Sequence, residues 1–483
     1  MANALVWFRR DLRVADNPAL HAALEAGLTP VPVYIHEPPA GRWPLGSASA
    51  WWLHQSLEQL DSRLRSLGSR LIIARGDSAT ELRRLCEAFA AGEVFWNRLC
   101  EPDSGKRDAV LEAKLRAGGV RARTFSAQLL CEPSELLKAD GTPYRVFTPF
   151  WRALQKAVAP RPPLASPSTL PALPRAQAKG LAVKDLGLLP DIAWYRAFPE
   201  HWQPGEAGAQ RALERFLAAG LVDYPRDRDL PALAGTSRLS PHLHSGELSP
   251  QQAWHGVQEA ATGRRESGLV TASEAWLRQL AWREFAHHLL HHFPETSDEP
   301  MDARFAAFPW RSDYTTDLRR WQRGMTGFPI VDAGMRELGH TGWMHNRVRM
   351  LVASLLTKNL LIPWQEGARW FWDTLVDADL ANNTLGWQWT AGCGVDAAPY
   401  FRVFNPVRQG ERFDPDGTYV RHWVPELHGL PPEWTHQPSA APKEVLRGAG
   451  VSIGDSYPAP MVDLQQSRGR ALGIWDRIKR APK

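Results

Sequence analysis

The rhythm of apolar and polar positions changes twice along the chain. Over the first 130 residues, short apolar runs alternate with helical spacing. The runs ALVWF (4–8), VPVYI (31–35), RLIIA (70–74), EVFW (93–96) and VRARTF (120–125) read as strands. Between them, residues 47–67 repeat apolar side chains at i, i+3 and i+4, the mark of an amphipathic helix. Strands alternating with helices predict a parallel, doubly wound sheet. A connector then runs over 131–206, rich in proline, alanine and leucine from 156 onward and expected to wrap the surface. From 207 to 475 the pattern is helical throughout, with breaks at proline and glycine and no internal repeat. The predicted architecture is α/β over 1–130, the connector, and a larger all-α domain.

Composition narrows the setting. A chain of 483 residues can build two or three full cores. No apolar run reaches the roughly 20 residues that span a bilayer, and MANALVWFRRDLR lacks the order of a signal peptide. A cytoplasmic protein is expected. The four cysteines form no CxxC pair, which argues against a disulfide framework or an iron–sulfur cluster. A net charge of +5 permits a polyanionic partner without requiring one. The anomaly is tryptophan: 14 of the 22 fall from Trp254 onward, so the second half has the unusual need for them.

The chemistry-bearing stretches point the same way. A doubly wound sheet usually binds a nucleotide through a glycine-rich first turn, yet here that turn is FRRDLRVADNPAL, without glycine. Between Tyr224 and Pro250, Gly235, Thr236, Ser237 and Ser240 offer hydroxyls and backbone N–H groups before a helix start, as a phosphate requires; an ordinary capped loop has the same composition. In WLRQLAWREFAHHLLHH, Trp276, Gln279 and Arg283 share a helix face suited to stacking and edge recognition of bases, or to core packing with an exposed rim. His287, His288, His291 and His292 make i, i+4 pairs but lack the third ligand of a zinc site, so no metal is expected. GWMHNRVRM and PYFRVFNPVRQGERF add Asn346, Arg347, Arg349, Arg402, Arg408, Gln409 and Arg412, a basic surface. In DADLANNTLGWQWTAGCG, Asp377 and Asp379 do not start a calcium loop, because Ala381 holds its fifth position and the glycine of its sixth is missing. Asx-turn chemistry accounts for one Asp and one Asn. An extended ligand with donor groups would account for the rest, and the residues alone stop at an aromatic, phosphate-bearing ligand in the helical domain.

LVWFRRDLRVADNPAL, GTSRLSPHL, WREF, GFPIVDAGMREL, TGWMHNRVRM, DADLANN, GWQW and APYFRVFNP occur in the order and spacing of the photolyase/cryptochrome family, which the chain resembles along nearly its whole length. It is most similar to the bacterial members that repair cyclobutane pyrimidine dimers. The resemblance implies FAD in the helical domain. Tyr224 and Thr236, Ser237, Arg238, Leu239 and Ser240 would then hold its phosphates, with Trp276, Arg283 and Asn346 also lining the cofactor. Asp377 and Asp379 would face ribose and flavin edge, with Arg349 paired to Asp377 and Asn383 beside flavin N5. Trp387, Trp364 and Trp310 match the family's chain of electron donors. Trp282 and Trp389 would flank the flipped-out dimer, Asn346, Met350 and Gln279 would meet its edge, and Arg228, Arg347, Arg402 and Gln409 would contact DNA.

The implied activity is a carbon–carbon lyase, working as a monomer on UV-damaged DNA by light-driven electron transfer from reduced FAD. A second, antenna chromophore (methenyltetrahydrofolate, deazaflavin or flavin) is left open. Three sites, five residues in all, depart from the family pattern. Gln279 stands for a glutamate, Thr384 and Leu385 for Asn-Gly, and Asp103 and Ser104 for the Asn-Glu of a folate site. Gln279 favours a (6-4) photolyase, which Asn346 and Met350 oppose. A cryptochrome-type light sensor shares the fold and the FAD; the short tail after the helical pattern speaks against it. A generic flavin oxidoreductase would need a nicotinamide site that nothing here resembles.

Overall fold

A computed structural model describes residues 2–480 apart from 39–40, 158–159, 174–179, 264–266 and 397–400. The five predicted strands form one parallel sheet: β1 (Asn3–Phe8), β2 (Thr29–His36), β3 (Ile72–Arg75), β4 (Ala91–Asn97) and β5 (Arg121–Phe125), in the order β3-β2-β1-β4-β5. Helices α1 (Pro18–Glu25), α2 (Ser47–Ser66), α3 (Ser78–Phe89) and α4 (Pro102–Ala117) connect them. Alternation along β1 explains the two layers. Val6 and Phe8 pack with Leu20 of α1 and Leu57 and Leu64 of α2. Leu5 and Trp7 pack on the opposite side with Leu82 and Leu85 of α3 and Leu111 of α4.

The glycine-free turn after β1 is occupied by the chain's own polar groups. Arg9 makes two hydrogen bonds to Asp108 at 2.8 and 2.9 Å, Asn97 donates to Asp11 at 2.6 Å, and Arg13 donates to the carbonyls of Asp16 and Gly246. These groups are buried, and each charge meets a partner, as a low-dielectric site requires. The connector does more than wrap the surface. Leu170, Val183, Leu186 and Leu188 enter the core of α1 and α2, while the Leu181 N–H donates to the Ile73 carbonyl at 2.9 Å.

The chain divides into two compact units. The first comprises Met1–Ala193, Trp202–Val222 and Ser237–Pro294; the second comprises Trp194–His201, Asp223–Thr236 and Glu295–Lys483. The helical half is therefore shared between them. Used below in the first unit are α5 (Phe147–Ala157), α6 (Ser240–Ser245) and α7 (Leu269–His292). In the second they are α8 (Asn346–Ser354), α9 (Trp364–Thr374), α10 (Leu380–Ala391) and α11 (Leu464–Lys479). After β5, the described residues contain no strand, only an isolated bridge between Ile453 and Tyr457.

Candidate functional site

In the first unit, the candidate phosphate segment leads into α6. Leu239 is buried, Ser237 and Arg238 are half-buried and Ser240 is exposed. Arg238 adopts the left-handed region at φ 51°, uncommon for a side chain with a Cβ, and its guanidinium lies over the Trp202 ring at 5.6 Å. The helix is anchored by a node that the sequence reading missed. The fully buried Glu247 carboxylate accepts from Trp52 at 3.1 Å, Gly205 N–H at 2.7 Å and Ser56, and its second oxygen lies 2.5 Å from His242 Nδ1. This ties α6 to α2. The spacing His242…Glu247 after SRLSP was the available signal.

Along α7 the packing reading holds for two of the singled-out residues. Trp276 is buried against Phe216. Arg283 is buried, donates to the Gln128 carbonyl at 3.0 Å and lies 3.4 Å from Glu284. Glu284 accepts the Leu130 and Cys131 N–H groups, and burial raises its carboxyl to about 7 against the pull of Arg283. Trp282 is half-buried and stacks one face on Phe147 of α5, with centroids 3.8 Å apart and planes 7° off parallel. Gln279 is half-buried, with a long 3.5 Å contact to the Ala275 carbonyl. The histidines do backbone work. His288 accepts the Tyr144 N–H at 3.0 Å, and His292 Nε2 lies 3.0 Å from the Pro133 carbonyl. Burial lowers His288 to about 4, the neutral form an acceptor needs. Among the described residues no cluster can hold a metal.

In the second unit, Tyr224 is buried and Arg228 lies over its ring at 5.2 Å. Gly235 is required by close approach, since a Cβ there would meet the Asp227 carbonyl at 2.5 Å. His345 caps α8, accepting the Arg347 N–H at 3.1 Å, and burial lowers it to about 4. Arg347 pairs with Asp229 at 2.8 Å and lies 4.4 Å over Phe413. Arg349 donates to both oxygens of Asp377, at 2.9 and 3.1 Å, and to the Met344 carbonyl at 2.7 Å. At the start of α10, Asp379 accepts from the Asn382 N–H and amide, at 2.9 and 2.7 Å. Asn383 donates its amide to the Ala368 carbonyl of α9 at 3.0 Å, which leaves its own carbonyl oxygen as the group to offer. The dense polar run thus separates into a brace, a cap and a presented amide.

Trp387 is buried where α10 crosses α9, over Gly367; a Cβ on that glycine would meet the indole at 2.0 Å. The rings that touch it are Phe371 at 5.0 Å and Trp321 at 6.3 Å. Trp364 is buried on α9, and half-buried Trp310 packs on Phe308 at 4.2 Å, so the three predicted donors do not form one ring contact. Asn346 and Arg402 are exposed; Met350, Trp389 and Gln409 are half-buried. Trp389 donates to the Asp396 carbonyl at 3.1 Å. Burial pushes Cys86 and Cys393 up to about 12 and Cys131 to about 11, so none of these thiols is a ready nucleophile near neutral pH.

Two family models match the chain. A model described as the FAD binding domain of DNA photolyase matches residues 276–477, and one described as DNA photolyase matches residues 4–169. A Deoxyribodipyrimidine photo-lyase of Agrobacterium fabrum is 48% identical over 480 residues, covering 99% of this chain and 98% of that protein. The chain belongs to the photolyase/cryptochrome family. Within that family, Cryptochrome-1 of Arabidopsis thaliana is 39% identical, covering 97% of this chain and 69% of the plant protein. The crystal structure of a bacterial class III photolyase from Agrobacterium tumefaciens superimposes with a TM-score of 0.95 at 48% identity, over 100% of this chain and 98% of that one. The cofactor of the matched family domain is FAD, and the donor set here fits it. Hydroxyls precede α6, and Asn383 keeps a carbonyl acceptor for a ring N–H.

Proposed function

We propose that this chain is a light-driven carbon–carbon lyase that repairs cyclobutane pyrimidine dimers in UV-damaged DNA. The observation that carries the reading is the 48% identity to Deoxyribodipyrimidine photo-lyase of Agrobacterium fabrum over 99% of the chain, against 39% to Cryptochrome-1. Reduced FAD supplies light-driven electron donation when bound. Tyr224 and residues 236–240 would hold its phosphates, the Arg349–Asp377 pair would orient Asp377 toward it, and the Asn383 carbonyl would accept a hydrogen bond from a ring N–H. Trp387, with its indole N–H buried and unpartnered among the described residues, would be the donor nearest the cofactor, with Trp364 and Trp310 further out. Trp282, stacked on Phe147, has a second face to offer the dimer, and Trp389, Asn346, Met350 and Gln279 are the other side chains assigned to it. Arg228, Arg347, Arg402 and Gln409 hold the DNA backbone, while unstacking a damaged step costs less than unstacking a sound one.

Gln279, where the family carries a glutamate, supports a second reading as a (6-4) photolyase, and a light sensor that shares the fold and the FAD is a third. Reduced protein given a cyclobutane dimer and a (6-4) photoproduct in separate oligonucleotides should restore thymine only from the first. Repair of the (6-4) lesion alone would overturn the dimer specificity, and repair of neither would favour the sensor. No described helix is long and apolar enough to cross a membrane, and a cytoplasmic monomer is the proposed state. The absorption spectrum of the purified protein tests for an antenna chromophore.

A further inference from the structure

Lys358 is 1% exposed, in the π-helical turn Leu355–Asn359 that continues α8. Local π geometry is a common mark of function. Its amine donates to the carbonyl of Ala391, the last residue of α10, at 2.8 Å and lies 2.8 Å from the centroid of the Phe401 ring. Gly392 makes this approach possible: its φ is +85°, and a Cβ there would stand 2.9 Å from the amine and 3.0 Å from Phe401. Phe401 is itself stacked on Trp475 of α11, 5.3 Å between centroids and 6° from parallel. A cavity of about 220 Å³ opens at the same place, with Lys358, Trp389, Phe401 and Arg402 among its walls.

Lys358 has no ion pair among the described residues, and burial draws its ammonium well below the usual range, opposed by Cys393. A buried lysine without a carboxylate is costly to fold around, and methionine would fill the same space without that cost. What the amine adds is a connection between two chain stretches. One is the end of α10, which carries Asn383, Trp387 and Trp389. The other is the stretch beginning at Phe401, which carries Arg402.

We propose that Lys358 is a positioning residue for lesion recognition: it latches the end of α10 to the Phe401 ring and so sets Trp389 and Arg402 on the walls of one cavity. The proposal rests on the reading of Trp389 as a wall of the dimer site and Arg402 as a DNA contact. Neither residue need touch Lys358 for the latch to act, since the latch ties the end of α10 to the chain at Phe401.

The test uses the full chain with FAD bound. Lys358→Met is compared with the parent for dark binding of a dimer-containing oligonucleotide, turnover at saturating substrate, and flavin per chain. Dimer affinity should fall about tenfold, with turnover and flavin content within twofold of the parent. Phe401→Leu removes the ring face and should reproduce the loss. The double variant should be no worse than the poorer single, because both remove one latch. Parental affinity in a flavin-loaded Lys358→Met protein overturns the proposal, as does a parallel fall in affinity, turnover and flavin, which marks a role in folding alone. If Lys358→Met does not fold, Phe401→Leu decides: unchanged dimer affinity overturns the latch. A parent that shows no preference for dimer over undamaged DNA refutes the proposed function itself, and the latch with it. A parental preference that both variants keep refutes only the latch.

Discussion

Replacing Asp229 by asparagine should strengthen binding to duplex DNA. Arg347, assigned to the DNA backbone, is already engaged: its guanidinium meets Asp229 at 2.8 Å and rests on Phe413 at 4.4 Å. A phosphate reaching Arg347 must displace or share that carboxylate. The half-exposed pair is worth about 0.2–1 kcal/mol, and a carboxylate repels a phosphate charge at about 4 Å by roughly 1 kcal/mol in water. Together these amount to about 1–2 kcal/mol, or roughly 5–30-fold in affinity. Asparagine keeps the volume, so α8 should be undisturbed. His345, the cap of α8, is pulled upward by Asp229 and downward by burial; without Asp229 it stays neutral at pH 7 and the cap survives. The assay is anisotropy of a labelled duplex between 50 and 200 mM salt. Asp229→Asn should bind more tightly and steepen the salt slope by up to about 0.9, one further phosphate contact. Equal or weaker affinity at every salt concentration would refute the reasoning. So would a gain that persists in full on an Arg347→Ala background, because the effect would then not pass through Arg347.

Trp387→Phe should keep FAD and lose most of the blue-light reduction of oxidised flavin with a thiol present; undiminished bleaching would route the electron elsewhere, for example through Trp321, whose ring lies 6.3 Å from that of Trp387. His288 should make the fold acid-sensitive. Its folded value, about 4 against the usual 6.5, means that its stabilisation is complete above pH 6.5 and is lost as the pH falls through 4, about 3 kcal/mol in all. His288→Gln keeps an acceptor for Tyr144 and should flatten denaturant stability between pH 7 and 4.5; an unchanged pH slope counts against this. Gln279→Glu should repair dimers at least as well as the parent, because a hydrogen bond to a charged group is worth about 1.5–3 kcal/mol and a neutral one nearer 1. A slower variant would mean that the amide is matched to its substrate.

The sheet was legible because its signal is local. Buried parallel strands need continuous apolar runs, as in β1, β2 and β4, whereas the edge strand β5, RARTF, is only partly buried; all five run where VPVYI, EVFW and their neighbours placed them, to within a few residues. The connector was less legible because its proline-rich stretches look like a spacer. Only contacts across long separations, such as Leu170 N–H to the Leu67 carbonyl at 2.7 Å, show that it closes the core. The face shared by Trp276 and Arg283 was read correctly as a helix face, but periodicity does not say what lies against it. Phe216 and the Gln128 carbonyl lie there, and their positions follow from the fold.

The polar run from Asp377 to Asn383 shows where sequence reasoning ends. Residue types fix a cost: three buried or half-buried polar side chains in seven residues, Asp377, Asp379 and Asn383, must each find a partner. They do not fix the partners, because those come from distant chain. Asp379 spends its charge locally on Asn382, three residues on, as an Asx reading allows. Asp377 reaches Arg349, and Asn383 the Ala368 backbone. The pairing Arg349–Asp377 was available only through family resemblance. Gly367 carried a signal of its own. A glycine inside an otherwise regular helix gives up about 1 kcal/mol relative to alanine, so its presence requires something pressed against it. That something is the Trp387 indole, which could not lie on α9 over any side chain. The same logic applies to Lys358, a costly residue at a buried site. In both cases a locally unfavourable choice marks the place where the fold serves the site.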